Sequence, residues 1–565
     1  MDRRVLAAIV LMMVIAILPA VLLRRPPRPV GGDSARVAPR AQAPLPPPPP
    51  PPIALPLDTL AASPARVIRV TSPLYTYAIS TRGGLLAEAT LHRYRSMAPG
   101  ERGDTLQILP PASDLLGLRV VAGGDTLQLR EWDFSPSVDT LVVTAGGGPL
   151  TLTAARGNVG VTIQYRFEPD EYRIMVDGQI TGIGPNGGAL LVGLGPGLRN
   201  TESDSIDHQR NLGVVTKARG ETDLTRYSSL DYGQVTELSG PFEWVAVKSK
   251  YFVTALFAID TLETTYVGRL AGVRARPLEE RKQLAQAEVL ASLPVPAAGT
   301  FRFTLYAGPM EYPRLRGMGH DFYDVNPYGW PGLRTIIRPV AVAARWLLVV
   351  MHDALGIAYG LGLVLFGILV RVVLWPLNQK AMRASMQMQA IQPLVKDVQA
   401  RYKDDPQRVQ QEMFKLYKEY KVNPFGGCWP MLLPMPVLFA LFFVFQNTIE
   451  LRGAPFLWLV DLSRPDPYYV IPVLMGLSMY LVSKIGQMGM EANPQMKMML
   501  YVMPAMMTVL FLNFPSGLNL YYAVQNLASI PQQFLLAKER QKVNPRPPAA
   551  PPPSLAPAKS SGKKR

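Results

Sequence analysis

Long runs of uncharged residues constrain the fold of this chain more than any other feature of its sequence. One such run contains 19 residues, Val5 to Leu23, and several others fall between 350 and 540. A helix of about 20 apolar residues crosses the hydrocarbon core of a bilayer. Residues 60 to 310, in contrast, have the composition of an ordinary soluble domain. The sequence therefore predicts a membrane protein that carries a separate soluble domain.

The apolar runs predict six transmembrane helices. The first run follows a basic start and ends at Arg24. Because the core of a signal peptide is usually shorter, about 7–15 residues, we expect an uncleaved anchor rather than a signal peptide. The other five spans are predicted at approximately 354–377, 428–447, 468–486, 498–514 and 517–537.

The remaining segments complete a predicted domain order. Seven consecutive prolines, Pro46 to Pro52, predict a semi-rigid polyproline spacer. Alternation of apolar and polar residues, in segments such as "VGVTIQYRF", "EYRIMVDGQITG" and "FRFTLYAGP" with Gly, Pro and Asp between the runs, predicts the strands of an all-β sandwich. In chain order we expect an anchor (1–25), a Pro-rich linker (26–60), a β-sandwich domain (61–315), an interfacial amphipathic helix region (316–353), a core of five spans (354–537) with a helical hairpin (378–425), and a basic tail (538–565).

Charge near the spans predicts the orientation. The hairpin carries nine Lys/Arg against five Asp/Glu, and the tail carries eight against one. By the positive-inside rule both are cytoplasmic, and the loop 448–467 and the β domain are external. Arg24, Arg25 and Arg28 oppose this orientation at the first span, but a long translocated domain can override local charge.

Composition excludes several classes of function. The single cysteine, Cys428, excludes an intrachain disulfide, and the four histidines form no cluster with metal-ligand spacing. We find no nucleophile motif and no phosphate-binding glycine loop, so we expect no enzyme, no cofactor and no metal. The net charge of +16 forms no domain-sized basic stripe interleaved with aromatics, which argues against DNA as a partner.

Arg371 is the most unusual residue of the predicted core, because it interrupts an apolar run from Ala354 to Leu377. A charge near the centre of a span costs roughly 2.5–3.5 kcal/mol on insertion scales. The side chain could snorkel to the nearby interface. The other spans hold no Asp or Glu at their centres. The alternative is therefore that Arg371 meets water, lipid phosphate or an acidic group of a visiting molecule.

A polar stripe in the last span offers candidate neighbours for Arg371. Its members follow helical spacing and are Asn519, Tyr522, Asn526, Ser529 and Gln533. Hydrogen bonds between helices could explain this stripe without a ligand. If the stripe faces Arg371, it instead lines a hydrated groove, in which we also place Trp375. The sequence leaves both alternatives open.

Methionines supply a candidate apolar surface for a bound chain. Unbranched thioether side chains adapt to many apolar shapes, although ordinary core or lipid-facing packing is the simpler explanation. The candidates are Met431, Met435, Met503 and Met507.

Four motifs in fixed order carry a resemblance to a known family. They are "RVVLWPL", "KVNPFGGCWPMLLPMPVLFALF", "DPYYVIPVLMG" and "FPSGLNLYYAVQN", and the resemblance covers residues from about 315 to 540 closely. In these the chain resembles the YidC/Oxa/Alb family of membrane protein insertases. Residues 61 to 315 resemble, more loosely, the large periplasmic domain of the Gram-negative members, with "FEWVAVKSKYFVTALF" as the best stretch.

The resemblance implies an α-helical polytopic membrane protein with a five-helix insertase core, a hydrophilic groove and a cytoplasmic hairpin, plus a β-super-sandwich in the periplasm. The family's signature arginine corresponds to Arg371, and its substrate-contacting tyrosine to Tyr522. The implied location is the inner membrane, with both termini cytoplasmic. Implied partners are nascent membrane proteins, the ribosome, the SecYEG and SecDF translocon and the lipid bilayer. A secondary transporter that binds a small anion at Arg371, and a folding chaperone for membrane proteins, remain alternatives.

Overall fold

The computed structural model of this protein describes most of the chain beyond its N-terminal region. The described residues are 65–258, 270–280, 284–326, 333–403, 405–420, 435–488 and 494–542. The predicted anchor, the linker and most of the basic tail lie outside them. So do residues 428–434, the first part of the predicted span 428–447, of which residues from 435 onward are described.

The chain divides into two compact units, Met1–Pro331 and Gly332–Arg565. The first contains the β domain and the second contains the helical core. The sequence analysis placed this boundary earlier, after residue 315. The difference arises because residues 316–326 pack on the β domain, through contacts given below.

The β unit is built from short strands separated by tight turns. In the described part of the chain they are β1 (Val67–Thr71), β2 (Tyr75–Ser80), β3 (Leu86–Arg95), β4 (Thr105–Gln107), β5 (Leu118–Ala122), β6 (Asp125–Leu127), β7 (Ser135–Pro136), β8 (Thr140–Val142), β9 (Gly148–Arg156), β10 (Val159–Phe167), β11 (Arg173–Thr181), β12 (Gly188–Gly193), β13 (Gly213–Ala218), β14 (Glu221–Arg226), β15 (Thr236–Phe242), β16 (Trp244–Lys248), β17 (Phe252–Ala258), β18 (Leu270–Pro277), β19 (Ala287–Val295) and β20 (Thr300–Pro309). Two short helices accompany them, α1 (Ser205–Asn211) and α2 (Tyr312–Gly317).

These strands form three sheets. The largest has nine strands in the order β14-β13-β16-β17-β20-β11-β10-β9-β7, and a six-stranded sheet has the order β15-β18-β19-β12-β5-β6. The third has the order β4-β3-β2-β1-β8, in which β1 and β8 are parallel. Buried side chains alternate along strands such as β10 (residues Val161, Ile163, Tyr165), as expected for strands with one face against a core. The predicted β domain is confirmed.

The last segment of the β unit is fastened to the nine-stranded sheet. The ring of Phe322 is fully buried and lies 5.2 Å from Trp244 and 4.8 Å from Phe257, centroid to centroid. The amine of Lys217 lies 3.0 Å from the carboxylate of Asp321. The amine of Lys248 donates to the side-chain oxygen of Asn326. Aromatic packing and two buried amines therefore hold this segment on the sheet.

The helical unit contains all the remaining helices of the described chain. They are α3 (Arg334–Asp353), α4 (Tyr359–Ala390), α5 (Gln392–Arg401), α6 (Pro406–Glu419), α7 (Met435–Asn447), α8 (Val470–Gly486), α9 (Pro494–Phe511) and α10 (Ser516–Lys542). Helix α10 packs against α4, α7 and α8, while α3 packs against α4 and α7. The helical core that the sequence predicted is therefore present, with α10 in contact with three neighbours.

The number of membrane spans differs from the prediction of six. Among the described residues, two helices are long and apolar enough to cross a bilayer: Arg334–Asp353 and Tyr359–Lys380. The first of these was assigned to the interface from its sequence. Val470–Gly486 and Lys497–Phe511 are apolar but shorter. The count of six is not confirmed.

Aspartate side chains stabilise the starts of two helices. The sequence Asp405-Pro406 within the hairpin predicts a helix that begins at Pro406 with Asp405 as its cap. Asp405 accepts a hydrogen bond from the backbone N–H of Arg408 at 3.0 Å, which confirms this cap. Asp466, which is fully buried, accepts from the backbone N–H of Ile471 at 2.8 Å, beside the start of α8. The side chain of Asp466 therefore stabilises the loop that precedes α8.

Candidate functional site: a buried arginine between two helices

Arg371 lies in α4 and reaches α10. Its Nη2 donates to the side-chain oxygen Oε1 of Gln532 at 2.7 Å, and the amide nitrogen Nε2 of Gln532 donates to the backbone oxygen of Trp375 at 3.0 Å. Gln532 is 1% exposed, whereas Arg371 is half-buried. Within the described part of the chain, no carboxylate lies within 4.0 Å of this guanidinium. Arg371 therefore keeps its full positive charge beside a neutral partner.

Close packing brings α4 and α10 together on the N-terminal side of Arg371. A Cβ added to Gly367 would lie 3.2 Å from Val524, so this glycine allows the two helices to approach. About one turn earlier in α10, the ring of Tyr521 lies 5.7 Å from that of Phe366 and is 1% exposed. Tightly packed aromatic and aliphatic side chains therefore lie on the N-terminal side of Arg371, between α4 and α10.

The predicted polar stripe makes hydrogen bonds with other helices. The amide of Asn519 donates to the backbone oxygen of Phe511 at 3.0 Å, and that of Asn526 donates to the hydroxyl of Ser478 at 3.1 Å. The hydroxyl of Tyr522 lies 3.4 Å from the backbone oxygen of Leu438 in α7. These are contacts of the kind that the sequence analysis held open as interhelical hydrogen bonds. Arg371 is on a different side of α10.

A small cavity opens beside the Arg371–Gln532 contact. Its volume is about 250 Å³, and it lies between the second half of α4 and the end of α10. Half-buried Trp375 is on its wall. The remaining lining residues are Gln379, Gln532, Leu535, Leu536, Lys538 and Glu539. The mixture of amides, charges and an indole gives this cavity both polar and apolar walls.

The candidate methionines are only partly placed. Met503 and Met507 are half-buried in α9. Met435 begins α7, and Met431 lies outside the described residues. In the part of the chain that the structure describes, no group of three His, Cys, Asp or Glu side chains could hold a metal ion.

A second buried arginine was missed by the sequence analysis. Arg345 of α3 has a side chain that is 2% exposed, and its Nη2 lies 3.1 Å from each carboxylate oxygen of Glu450. From the sequence, we predicted that Arg345 lies in an interfacial helix and Glu450 in an external loop. Their pairing required knowledge of how α3 packs on the short 3-10 turn Ile449–Leu451.

The sequence analysis also missed Gln532 and Tyr521. It selected their direct neighbours, Gln533 and Tyr522, because these complete a regular stripe. Tyr521 and Gln532 are 11 residues apart, which is close to three helical turns, so they share a face of α10. This spacing was available in the sequence, but nothing local indicated that this face meets α4.

Two family models cover most of the chain and agree with its two units. A model of the YidC periplasmic domain matches residues 67–342, and a model described as 60Kd inner membrane protein matches residues 350–543. A YidC insertase of Chlorobium luteolum is 32% identical over 518 residues, which are 84% of this chain and 83% of that protein. The chain belongs to the YidC family of membrane protein insertases.

Two further comparisons complete this picture. The YidC insertase of Anaeromyxobacter dehalogenans is 31% identical over 554 residues, 96% of this chain and 98% of that protein. The crystal structure of an active YidC insertase, with its first transmembrane domain resolved, is 18% identical over 84% of this chain, with a TM-score of 0.32. Membership of the YidC family agrees with a periplasmic β domain joined to a helical core in the inner membrane.

Proposed function

We propose that this member of the YidC family inserts nascent membrane proteins by receiving a polar flank of the substrate beside Arg371, in a hydrated groove. The observation that carries the proposal is the neutral environment of Arg371. Its guanidinium is held by an amide and faces no carboxylate among the described residues, so its charge remains available. An acidic group from outside the protein can supply the missing negative charge.

The physical task is to move a short polar segment across apolar lipid. A groove that penetrates part of the bilayer shortens the path, and water in it hydrates the polar flank. Arg371 then attracts acidic residues of the flank while the apolar segment moves between helices into lipid. The membrane potential assists a negative flank by about 2.3 kcal/mol per charge per 100 mV. No covalent step is required.

We assign different roles to the predicted groove residues according to their exposure. Trp375 is half-buried beside the Arg371–Gln532 contact and is a candidate for contact with the polar flank. Tyr522 and Asn526 are half-buried on a different side of α10, where they bond to α7 and α8, and we propose them for contact with another part of the substrate. Asn519 is fully buried and bonded to the backbone of Phe511, so its role is to support the groove wall. Met503 and Met507 are candidates for contact with the apolar part of the substrate.

The orientation and the larger partners are part of the same proposal. Positive charge on the hairpin and tail favours a cytoplasmic location for both, with the β unit in the periplasm. On α6, Phe414 is 59% exposed, and Lys418 lies one helical turn further along. A basic surface with an exposed aromatic fits contact with a ribosome. We also propose cooperation with the SecYEG and SecDF translocon, which membership of the family supports.

Insertion into proteoliposomes tests the role of Arg371. Two substrates would share one apolar span and differ in a flank that carries either two Asp or two Asn. We expect Arg371→Ala to reduce insertion of the Asp substrate by at least about tenfold, which corresponds to about 1.4 kcal/mol. Arg371→Lys keeps the charge and should retain more activity. Full insertion of the Asp substrate by Arg371→Ala, at normal abundance, would refute the role.

Crosslinking separates an insertase groove from an anion transport site. A photoreactive residue at Tyr522 or Trp375 should capture ribosome-bound nascent chains at the length where their first span emerges. Uptake of a small anion into liposomes that depends on Arg371, without such crosslinks, would instead identify a transporter.

A further inference from the structure

The contact between Arg371 and Gln532 lies close to a proline in each of the two helices. Pro376 lies inside α4 directly after Trp375, and Pro531 lies inside α10 directly before Gln532. A proline within a helix removes one backbone donor and displaces a carbonyl of the preceding turn. For Pro376 that carbonyl belongs to Val372, so the proline does not itself free the oxygen of Trp375. The amide of Gln532 donates to this second carbonyl, which belongs to the residue directly before the proline.

Both ends of the Gln532 amide are used, and they fix its orientation. The oxygen accepts from the guanidinium of Arg371, and the nitrogen donates to the backbone of Trp375. Rotating the amide by half a turn would place a donor against the guanidinium and an acceptor against a carbonyl oxygen. With 1% of its surface exposed, Gln532 has little freedom to move. It therefore holds the guanidinium of Arg371 at one position beside the backbone of Trp375.

A neutral partner leaves the positive charge uncancelled. A carboxylate at the position of Gln532 would form an ion pair with Arg371, whose Nη2 lies 2.7 Å from the present amide oxygen. A guanidinium has five N–H donors, and its Nε in this protein is buried without a hydrogen-bond acceptor. Gln532 thus accepts from one of the five donors and leaves the positive charge uncancelled for a visiting acid.

We propose that Gln532 is a positioning residue that holds Arg371 as an uncancelled charge, and so sets the preference of this insertase for substrates with acidic flanks. This inference rests on the proposed function of Arg371. It adds a specific requirement: the partner of Arg371 must be polar, of the right length and uncharged.

The neighbouring residue offers a matched control. Gln533 has the same side chain one residue further along α10, is half-buried, and is directed towards α8. A Cβ added to Gly486 of α8 would lie 3.2 Å from the side-chain oxygen of Gln533. Changing Gln533 to Glu adds the same charge to the same helix on a different face.

The test measures insertion of the Asp and Asn substrates by the full-length chain in proteoliposomes, and reports their ratio. We expect Gln532→Glu to lower the Asp-to-Asn ratio to that of Arg371→Ala, because the new carboxylate cancels the charge. Gln532→Leu, which fills a similar volume but cannot hold Arg371, should lower the ratio several-fold. Gln533→Glu should keep a ratio close to that of the unaltered protein. In the Arg371→Ala background, Gln532→Leu should cause no further change.

Each outcome separates the inference from the function on which it rests. If Arg371→Ala loses the preference but Gln532→Glu and Gln532→Leu both retain it, Gln532 has no positioning role and the role of Arg371 stands. If Arg371→Ala retains the preference, the proposed function itself is wrong. Equal losses of the Asp and Asn substrates at normal abundance would show a structural role for Gln532, against the proposal. If Gln532→Glu does not accumulate, Gln532→Leu decides the question.

Discussion

Arg345 and Arg371 lie on consecutive helices that pack against each other, yet they are held in opposite ways. The guanidinium of Arg345 meets both oxygens of a carboxylate, that of Glu450, at 3.1 Å. The guanidinium of Arg371 meets the neutral amide of Gln532 at 2.7 Å. The Arg345 side chain is 2% exposed, whereas Arg371 is half-buried.

The difference between the two partners indicates that the charge of Arg345 is structural, whereas the charge of Arg371 is available to a ligand. Burial of a charge is costly unless an opposite charge and hydrogen bonds compensate for it. Glu450 supplies both for Arg345, and the ion pair holds α3 to the turn beside it. Gln532 supplies one hydrogen bond to Arg371 and no charge, so the remaining compensation must come from water or a ligand. The chemistry of the partner, more than burial alone, indicates which arginine serves the substrate.

The largest effect should follow from giving Arg345 the kind of partner that Arg371 has. Glu450→Gln leaves the guanidinium of Arg345 without its opposite charge in a fully buried place. Removing one member of a buried ion pair costs about 3–5 kcal/mol of unfolding free energy. The unfolding of the full-length chain in bicelles would measure this loss.

A paired replacement sharpens that result. Arg345→Met together with Glu450→Leu removes both charges, and most of the lost stability should return, because apolar side chains of similar volume need no compensation. Stability of Glu450→Gln within about 1 kcal/mol of the unaltered protein would contradict the structural role of the ion pair, since surface changes fall in that range.

A buried amine in the β unit tests what an amide partner does for a cation that can lose its proton. Lys248 donates to the amide oxygen of Asn326, and burial, with a contribution from Arg226, lowers the pKa of Lys248 from 10.5 to about 7. Above pH 7 the unfolded chain then binds one more proton than the folded chain. Stability of the β unit should therefore rise by up to about 1.4 kcal/mol per pH unit between pH 7 and 10.

Hydrogen exchange of the amides of β13 and β16 in the full chain would report this slope, after correction for intrinsic rates. Lys248→Met should flatten it. Lys250→Met is the control, because the amine of Lys250 lies 2.8 Å from the carboxylate of Asp207, which favours its charged form. An unchanged slope in Lys248→Met would show that another group carries the pH dependence.

The smallest effect is expected at an exposed pair on the same two helices that hold Arg371. Arg383 of α4 and Glu539 of α10 approach to 3.4 Å, with side chains 57% and 47% exposed. Exposed pairs contribute about 0.2–1 kcal/mol. Arg383→Ala should therefore change the unfolding free energy by less than about 1 kcal/mol. A loss as large as that of Glu450→Gln would show that burial is not what distinguishes these pairs.

Much of the fold could be predicted because its signals are local. Alternation of apolar residues predicted strands at β10, β11 and β20, where the structure has them. Asp405 predicted the start of α6, since a cap needs only a side chain and the next few backbone N–H groups. The division between the β and helical units was displaced, because Phe322 and Asn326 join the β unit through distant contacts with Trp244 and Lys248.

The sequence by itself determined that one guanidinium interrupts an apolar run, that a β region precedes a helical region, and which family motifs the chain contains. These follow from residue type and spacing along one strand or helix. The tertiary structure decided which side chain meets that guanidinium. Each step along a helix turns the side chain by about 100°, so Gln532 and Gln533 point to different neighbours. Only the packing of α4 against α10 selects Gln532.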